Sequence, residues 1–220
     1  MISDPICETP QYVEFVRFFE GFFAYIKKEN APIDFFSWHC YDSADSAAAM
    51  QRYLERRLAE LGYAGLETQL NEWNNAPQLE HRGTSYAAAQ AANMMIKMQR
   101  TNIDILCYYD ARIAASMYGG LFNPMNHKPL CTYYAFKAFG ELYALGNEVA
   151  CESNDTKLLA LAACDQEGDR QALMVVNLGE DTAFTCDFAA EHVYLIDAEH
   201  MMEEVSCDPA VLPIAKNRIP

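Results

Sequence analysis

The sequence predicts an α/β chain that ends in a β-rich tail, and three observations carry that expectation. From Thr9 to about Gly146, apolar runs of helical period alternate with short aromatic runs of strand length. The connections between them are short, as in a parallel sheet wrapped by helices. After Gly146 the helical period stops, and brief β-rich runs separated by turn-formers replace it. A doubly wound sheet and a slice of a (β/α) barrel both satisfy the first part.

The elements follow in order. Thr9 is placed to cap a helix with Pro10 in its first turn, followed by Tyr12, Phe15, Val16, Phe19, Phe22, Phe23 and Ile26 at helical spacing. Asn30-Ala31-Pro32 ends it. "IDFFSWHCY" reads as a buried aromatic strand, and residues 46 to 61 return to helix through Ala47, Met50, Leu54, Leu58 and Leu61, stopped by Gly62. "LETQLNE" is the next strand, 84 to 100 the next helix, "IDILCYY" the third strand and "TYYAFKAFGELYALG" the last helix. "KLLALAAC", "ALMVVN", "TAFTCDF" and "HVYLID" are the β-rich runs, separated by "DQEGDR" and "NLGED".

Composition sets outer bounds. A chain of 220 residues that is 51% hydrophobic can bury a substantial core. A formal charge of -15 with no Lys/Arg cluster argues against nucleic acid and anionic membranes as partners. "MISDPICETP" has neither the basic leader nor the apolar core of a signal peptide, and no apolar run is long enough to span a bilayer. The expected location is therefore cytoplasmic. The eight cysteines contain no CxxC pair, which favours buried free thiols over disulfides or a zinc site.

In a parallel α/β sheet, functional side chains gather at the carboxyl ends of the strands. Here those ends carry His39 and Tyr41, then Glu72 and Trp73, then Tyr109 and Asp110. Strand alternation groups Phe35, Ser37 and His39 on one face, Leu66, Thr68, Leu70 and Glu72 on another, and Ile105, Cys107 and Tyr109 on a third. One inward face is thus expected to present His39, Glu72 and Tyr109 together. Trp38 should point the other way, into the core. Asp110 and Arg112 read as a local ion pair bracing a loop, and Met94, Met95 and Met98 as core.

"DFFSWHCY", "LNEWN", "YYDAR" and "YGGLFNPMNHKPLCTYYAFKAFGELYALG", followed by a β-rich tail, resemble the second half of a retaining glycoside hydrolase of clan A, most like family 39, the β-xylosidase and α-iduronidase group. The resemblance implies a partial (β/α)8 TIM barrel, about strands 5 to 8, over residues 1–146, and a small all-β sandwich-like domain over 147–220. It implies that Glu72, in "NEWN", is the catalytic nucleophile on strand seven. It implies that His39, Tyr41, Trp73, Asn74 and Tyr109 contact a carbohydrate substrate, with packing under a loop as the other reading of Trp73. Asn71-Glu72 also matches the acid/base pair that such barrels carry on strand four. Only one further barrel strand follows it, however, so the count favours strand seven.

The mechanism this resemblance implies needs two carboxyl groups about 5 Å apart and neither a metal nor an organic cofactor, and no second Asn-Glu motif of this kind occurs in the chain. Two functions follow as expectations. One is a retaining glycosidase, or a fragment of one, inactive alone, completed by a complementing N-terminal half-barrel from a second chain or a longer gene, and prone to self-association through its open sheet edges. The other is a non-catalytic carbohydrate-binding or assembly module derived from such a barrel.

Overall fold

The computed structural model describes residues 10–76, 78–114, 116, 118–179, 182–185, 190–206 and 212–214. Thr9, the first expected cap, and Cys7, Cys186 and Cys207 lie outside them. The chain forms two compact units, one of residues 1–73 with 97–107 and one of 74–96 with 108–220.

In the first unit, a short 3-10 turn at Pro10–Tyr12 leads into helix α1, Val13–Glu29. Asn30 closes α1 in the left-handed conformation, its backbone N–H returning to the last carbonyls. Strand β1, Phe35–Cys40, follows, then α2, Ala44–Leu61. Ser43 caps α2 by accepting from the Ser46 N–H at 3.1 Å. Gly62, at φ +90°, ends it as the sequence predicts. Strand β2, Glu67–Trp73, pairs in parallel with β1. Strand β3, Ile105–Tyr108, takes the third place, in the order β1-β2-β3.

Both helices pack on one face of this sheet. Phe36, Trp38 and Cys40 of β1 and Thr68, Leu70 and Trp73 of β2 are buried there. Phe19 of α1 meets Phe36 at 5.3 Å and Tyr53 of α2 at 5.7 Å, and Phe15 meets Trp38 at 5.8 Å. The buried Gln51 of α2 donates to Thr68 Oγ1 at 2.9 Å. Each fully buried aromatic contributes roughly 1.5–3 kcal/mol from its removal from water. The opposite face stays open, with Phe35 48% and Ile105 39% exposed. Asp104 ties the start of β3 to β2, accepting from the Thr68 N–H at 2.8 Å while its own N–H reaches Thr68 O at 3.1 Å.

The second unit contains most of α3, Ser85–Gln99, and all of α4, Cys131–Tyr143. Its strands are β4 (Asn147–Val149), β5 (Leu158–Cys164), β6 (Gln171–Asn177), β7 (Thr182–Phe184), β8 (Tyr194–Ile196), β9 (Met201–Glu204) and β10 (Leu212–Ile214). They form three small antiparallel sheets: β4-β5-β6, β7 with β10, and β8 with β9. Ala88, Ala92 and Ile96 of α3, Cys131, Ala135 and Leu142 of α4, and Leu161, Ala163 and Val176 share one core. The architecture is therefore mixed α/β with a β-rich tail, and no sheet among the described residues closes into a barrel.

An ion pair clamps α1 to α2. Arg57 Nε lies 2.6 Å and Nη2 2.8 Å from the Glu20 carboxylate, which also accepts from Tyr53 OH at 2.7 Å. The Arg57 bond holds the Glu20 carboxyl below its usual range against the opposing effect of burial, and the Tyr53 bond adds to it. A depressed folded-state pKa gives stability that is present above the unfolded value and lost as pH falls through the folded one. Glu20→Gln should therefore lower stability by about 1 kcal/mol at neutral pH, the pair being part exposed. The difference from wild type should vanish in acid, as followed by urea denaturation between about pH 3 and 7.

Candidate active site

The site is built on the open face of the β1-β2 pair. Backbone partners run Phe35 with Glu67 through Trp38 with Leu70, and then the register shifts so that His39 faces Glu72 and Cys40 faces Trp73. Asn71 is the extra residue of a β-bulge, and it restarts the alternation. The expectation that Glu72 shares a face with Thr68 and Leu70 is thereby corrected, since those two are buried at 3% and 0% exposure on the helix side. Glu72 emerges beside His39 on the other side.

Tyr41, just past β1, donates its hydroxyl hydrogen to Glu72 Oε1. His39 Nε2 stands 3.5 Å from Glu72 Oε2. The two carboxylate oxygens are thus distinguished: one is held by a phenol, and the other lies beside a half-exposed imidazole. The Glu72 side chain is 27% exposed and the His39 side chain 54%, so the arrangement is open to a ligand. Tyr41 was read from the sequence as a sugar contact, and its bond to Glu72 went unforeseen. The strand-end spacing of the two residues was the available signal.

The other expected site residues have different surroundings. Trp73, the last residue of β2, is fully buried, with no ring face exposed. Asn74 is corrected from a substrate contact to a structural tether. It is 2% exposed, and its Nδ2 reaches Tyr109 O and Tyr118 O at 3.0 Å each and Tyr108 OH at 3.2 Å. Its Oδ1 accepts from the Ala76 N–H at 3.0 Å. Burial pushes the Tyr108 phenol up to about 12, so it stays protonated.

Tyr109 follows the end of β3, outside the strand on which alternation had placed it. Its hydroxyl accepts from Arg112 Nη2 at 3.1 Å, and its ring packs on Tyr118 at 5.3 Å. Asp110, buried at 7% exposure, accepts from Arg112 Nε at 3.0 Å and Ser116 Oγ at 2.6 Å, the loop brace expected from the sequence. Among the described residues, no group of three His, Cys, Asp or Glu side chains is arranged to hold a metal ion.

The role of Asn74 is testable through stability. Asn74→Ala would strand two part-buried carbonyls and the buried Ala76 N–H, at a cost of roughly 1–3 kcal/mol. Chemical denaturation should show that loss, and Asn74→Asp, which offers acceptors to carbonyl oxygens, should be at least as harmful. A ligand contact without a structural role would leave stability unchanged.

No protein-family model and no curated protein sequence matches the chain. Solved structures do. The fold is similar to a glucosidase from Croceicoccus marinus, with TM-score 0.63 and 20% identity over 89% of this chain and 42% of that one. A monomeric β-xylosidase from Caulobacter crescentus CB15 gives TM-score 0.55 and 19% identity over 78% of this chain and 37% of that one. The GH39 enzyme from Xanthomonas axonopodis pv. citri gives 0.54 and 16% over 68% and 34%. This chain spans less than half the length of each. Its structural neighbours are glycosidases, and at these identities the likeness is one of fold.

Proposed function

We propose that the chain carries the nucleophile strand of a retaining, family 39-like glycoside hydrolase acting on O-glycosyl bonds. The observation that carries this reading is Glu72 at the carboxyl end of β2, part exposed, fixed through Oε1 by Tyr41 and flanked at Oε2 by His39. Residues 1–146 are read as about strands 5 to 8 of a (β/α)8 barrel, and 147–220 as its β-rich companion. One-sided helix packing on a parallel sheet supports the barrel slice over a doubly wound sheet, whose helices cover both faces.

In this reading Glu72 Oε2 attacks the anomeric carbon while Tyr41 keeps Oε1 in place. A carbon–oxygen bond to the enzyme forms as the bond to the leaving group breaks, and the departing oxygen takes a proton from an acid. The same group, now a base, activates water to release the sugar. Glu67 is the only other carboxylate on β1 or β2, and it lies five residues back along the strand, about 16 Å away. That is too far for a pair needing about 5 Å. We assign the acid/base to a complementing half-barrel, so the chain alone would not turn over natural glycosides.

The test is intact-mass spectrometry after incubation with dinitrophenyl 2-deoxy-2-fluoro glucoside and xyloside, whose leaving group needs no protonation. One glycosyl adduct on wild type and none on Glu72→Gln is the expected result, with Tyr41→Phe labelling more slowly. Rapid hydrolysis of natural glycosides by this chain alone, or equal labelling of Glu72→Gln, would remove Glu72 from the role. Carbohydrate binding without any labelling would favour the non-catalytic binding module.

A further inference from the structure

Helix α1 turns an aromatic ridge away from its own core. Phe19, Phe23 and Ile26 are buried, whereas Phe18 is 63% and Tyr25 61% exposed. Phe18, Phe22 and Tyr25 recur at i, i+4 and i+7, so they line one stripe beside the buried one. The ridge is ordered. The Phe18 and Phe22 rings lie 5.9 Å apart and 14° from parallel, and Phe22 is anchored to Phe23 at 5.4 Å and to Phe36 at 5.9 Å.

Gly21 sits within the stripe, where an added Cβ would meet nothing within 4 Å. Glycine inside a helix costs about 1 kcal/mol relative to alanine. Nothing in the chain's own packing requires it at this point, whereas the close approach of a second backbone would.

The charges on α1 identify that backbone. The chain carries a formal charge of -15, yet on α1 Glu14, Glu20 and Glu29 are balanced by Arg17, Lys27 and Lys28. Glu20 is turned inward to Arg57. If two copies of α1 cross antiparallel at Gly21, residues equally spaced before and after it come together. Glu14 of each copy then meets Lys28 of the other, and Arg17 meets the face of Tyr25, a cation–π contact. Phe18 falls between the other copy's Phe22 and Tyr25. A parallel crossing would instead set Glu14 against Glu14.

We propose that the α1 stripe of Phe18, Gly21, Phe22 and Tyr25 is the isologous interface of a homodimer, two copies crossing antiparallel at Gly21. This inference rests on α1 alone and does not depend on the glycosidase reading. A helix of 17 residues is about 25 Å long. A pair of that length lies near the lower limit of specific interfaces, about 1,000 Å² in total, so the dimer should dissociate in the micromolar range.

Sedimentation velocity of the full chain from about 1 to 100 μM tests it. The mass should rise from that of the 24.8 kDa chain to twice that value. Phe18→Asp should remain monomeric throughout with an unchanged circular dichroism spectrum. Gly21→Leu, placed in open space, should do the same and guards against misfolding of the first variant. Glu14→Lys should weaken the dimer at least about tenfold, and the Glu14→Lys/Lys28→Glu double variant should restore it. A wild type that stays monomeric at the highest concentration, a dimer that survives both Phe18→Asp and Gly21→Leu, or a double variant no better than Glu14→Lys would overturn the proposal.

Discussion

The candidate site depends on the register of one parallel strand pair. Up to Trp38 and Leu70, β1 and β2 alternate in step, with Phe36, Trp38, Thr68 and Leu70 on the helix side. Unbroken alternation would carry Glu72 into that same buried layer. An ionised carboxylate there would lack the solvation or partners it needs, at a cost of several kcal/mol. The extra residue Asn71 moves Glu72 to the open face and returns Trp73 to the buried one. A single insertion thus places a charge in solvent and a large aromatic in the core, and it brings Glu72 opposite His39.

The open face is the second constraint. Parallel sheets are ordinarily covered on both sides, because crossover helices or a closed barrel supply the second layer. Here α1 and α2 cover one side, and the other carries Phe35, His39, Glu72 and Ile105 at appreciable exposure. That face thus mixes apolar, polar and ionisable side chains. The glycosidases with similar folds are more than twice as long as the matched portion.

Much of this was legible in the sequence. The periods of α1 and α2, the Gly62 stop and the aromatic strand around Phe36 and Trp38 are local signals that tertiary packing reinforced. The alternation predicted a parallel sheet but left its strand order open, and the structure supplies the order β1-β2-β3. The bulge was not legible, because nothing in "LNEW" announces an extra residue before the partner strand is present to pair with it. The face assignment of Glu72 therefore failed for Thr68 and Leu70 while the pairing with His39 emerged all the same. Strands β4, β9 and β10 were missed because three- and four-residue strands are fixed by their partners and not by their own pattern.

The "NEWN" stretch shows how a short motif divides its labour. Of Glu72, Trp73 and Asn74, only Glu72 presents a reactive group to solvent. Trp73 fills the core, and Asn74 gathers the carbonyls of Tyr109 and Tyr118 with the Tyr108 hydroxyl. A loop end fixed by several hydrogen bonds has few conformations left to lose, so the strand end before it is held without help from a ligand. The motif therefore divides into one residue that presents a carboxylate and two that hold the strand end carrying it.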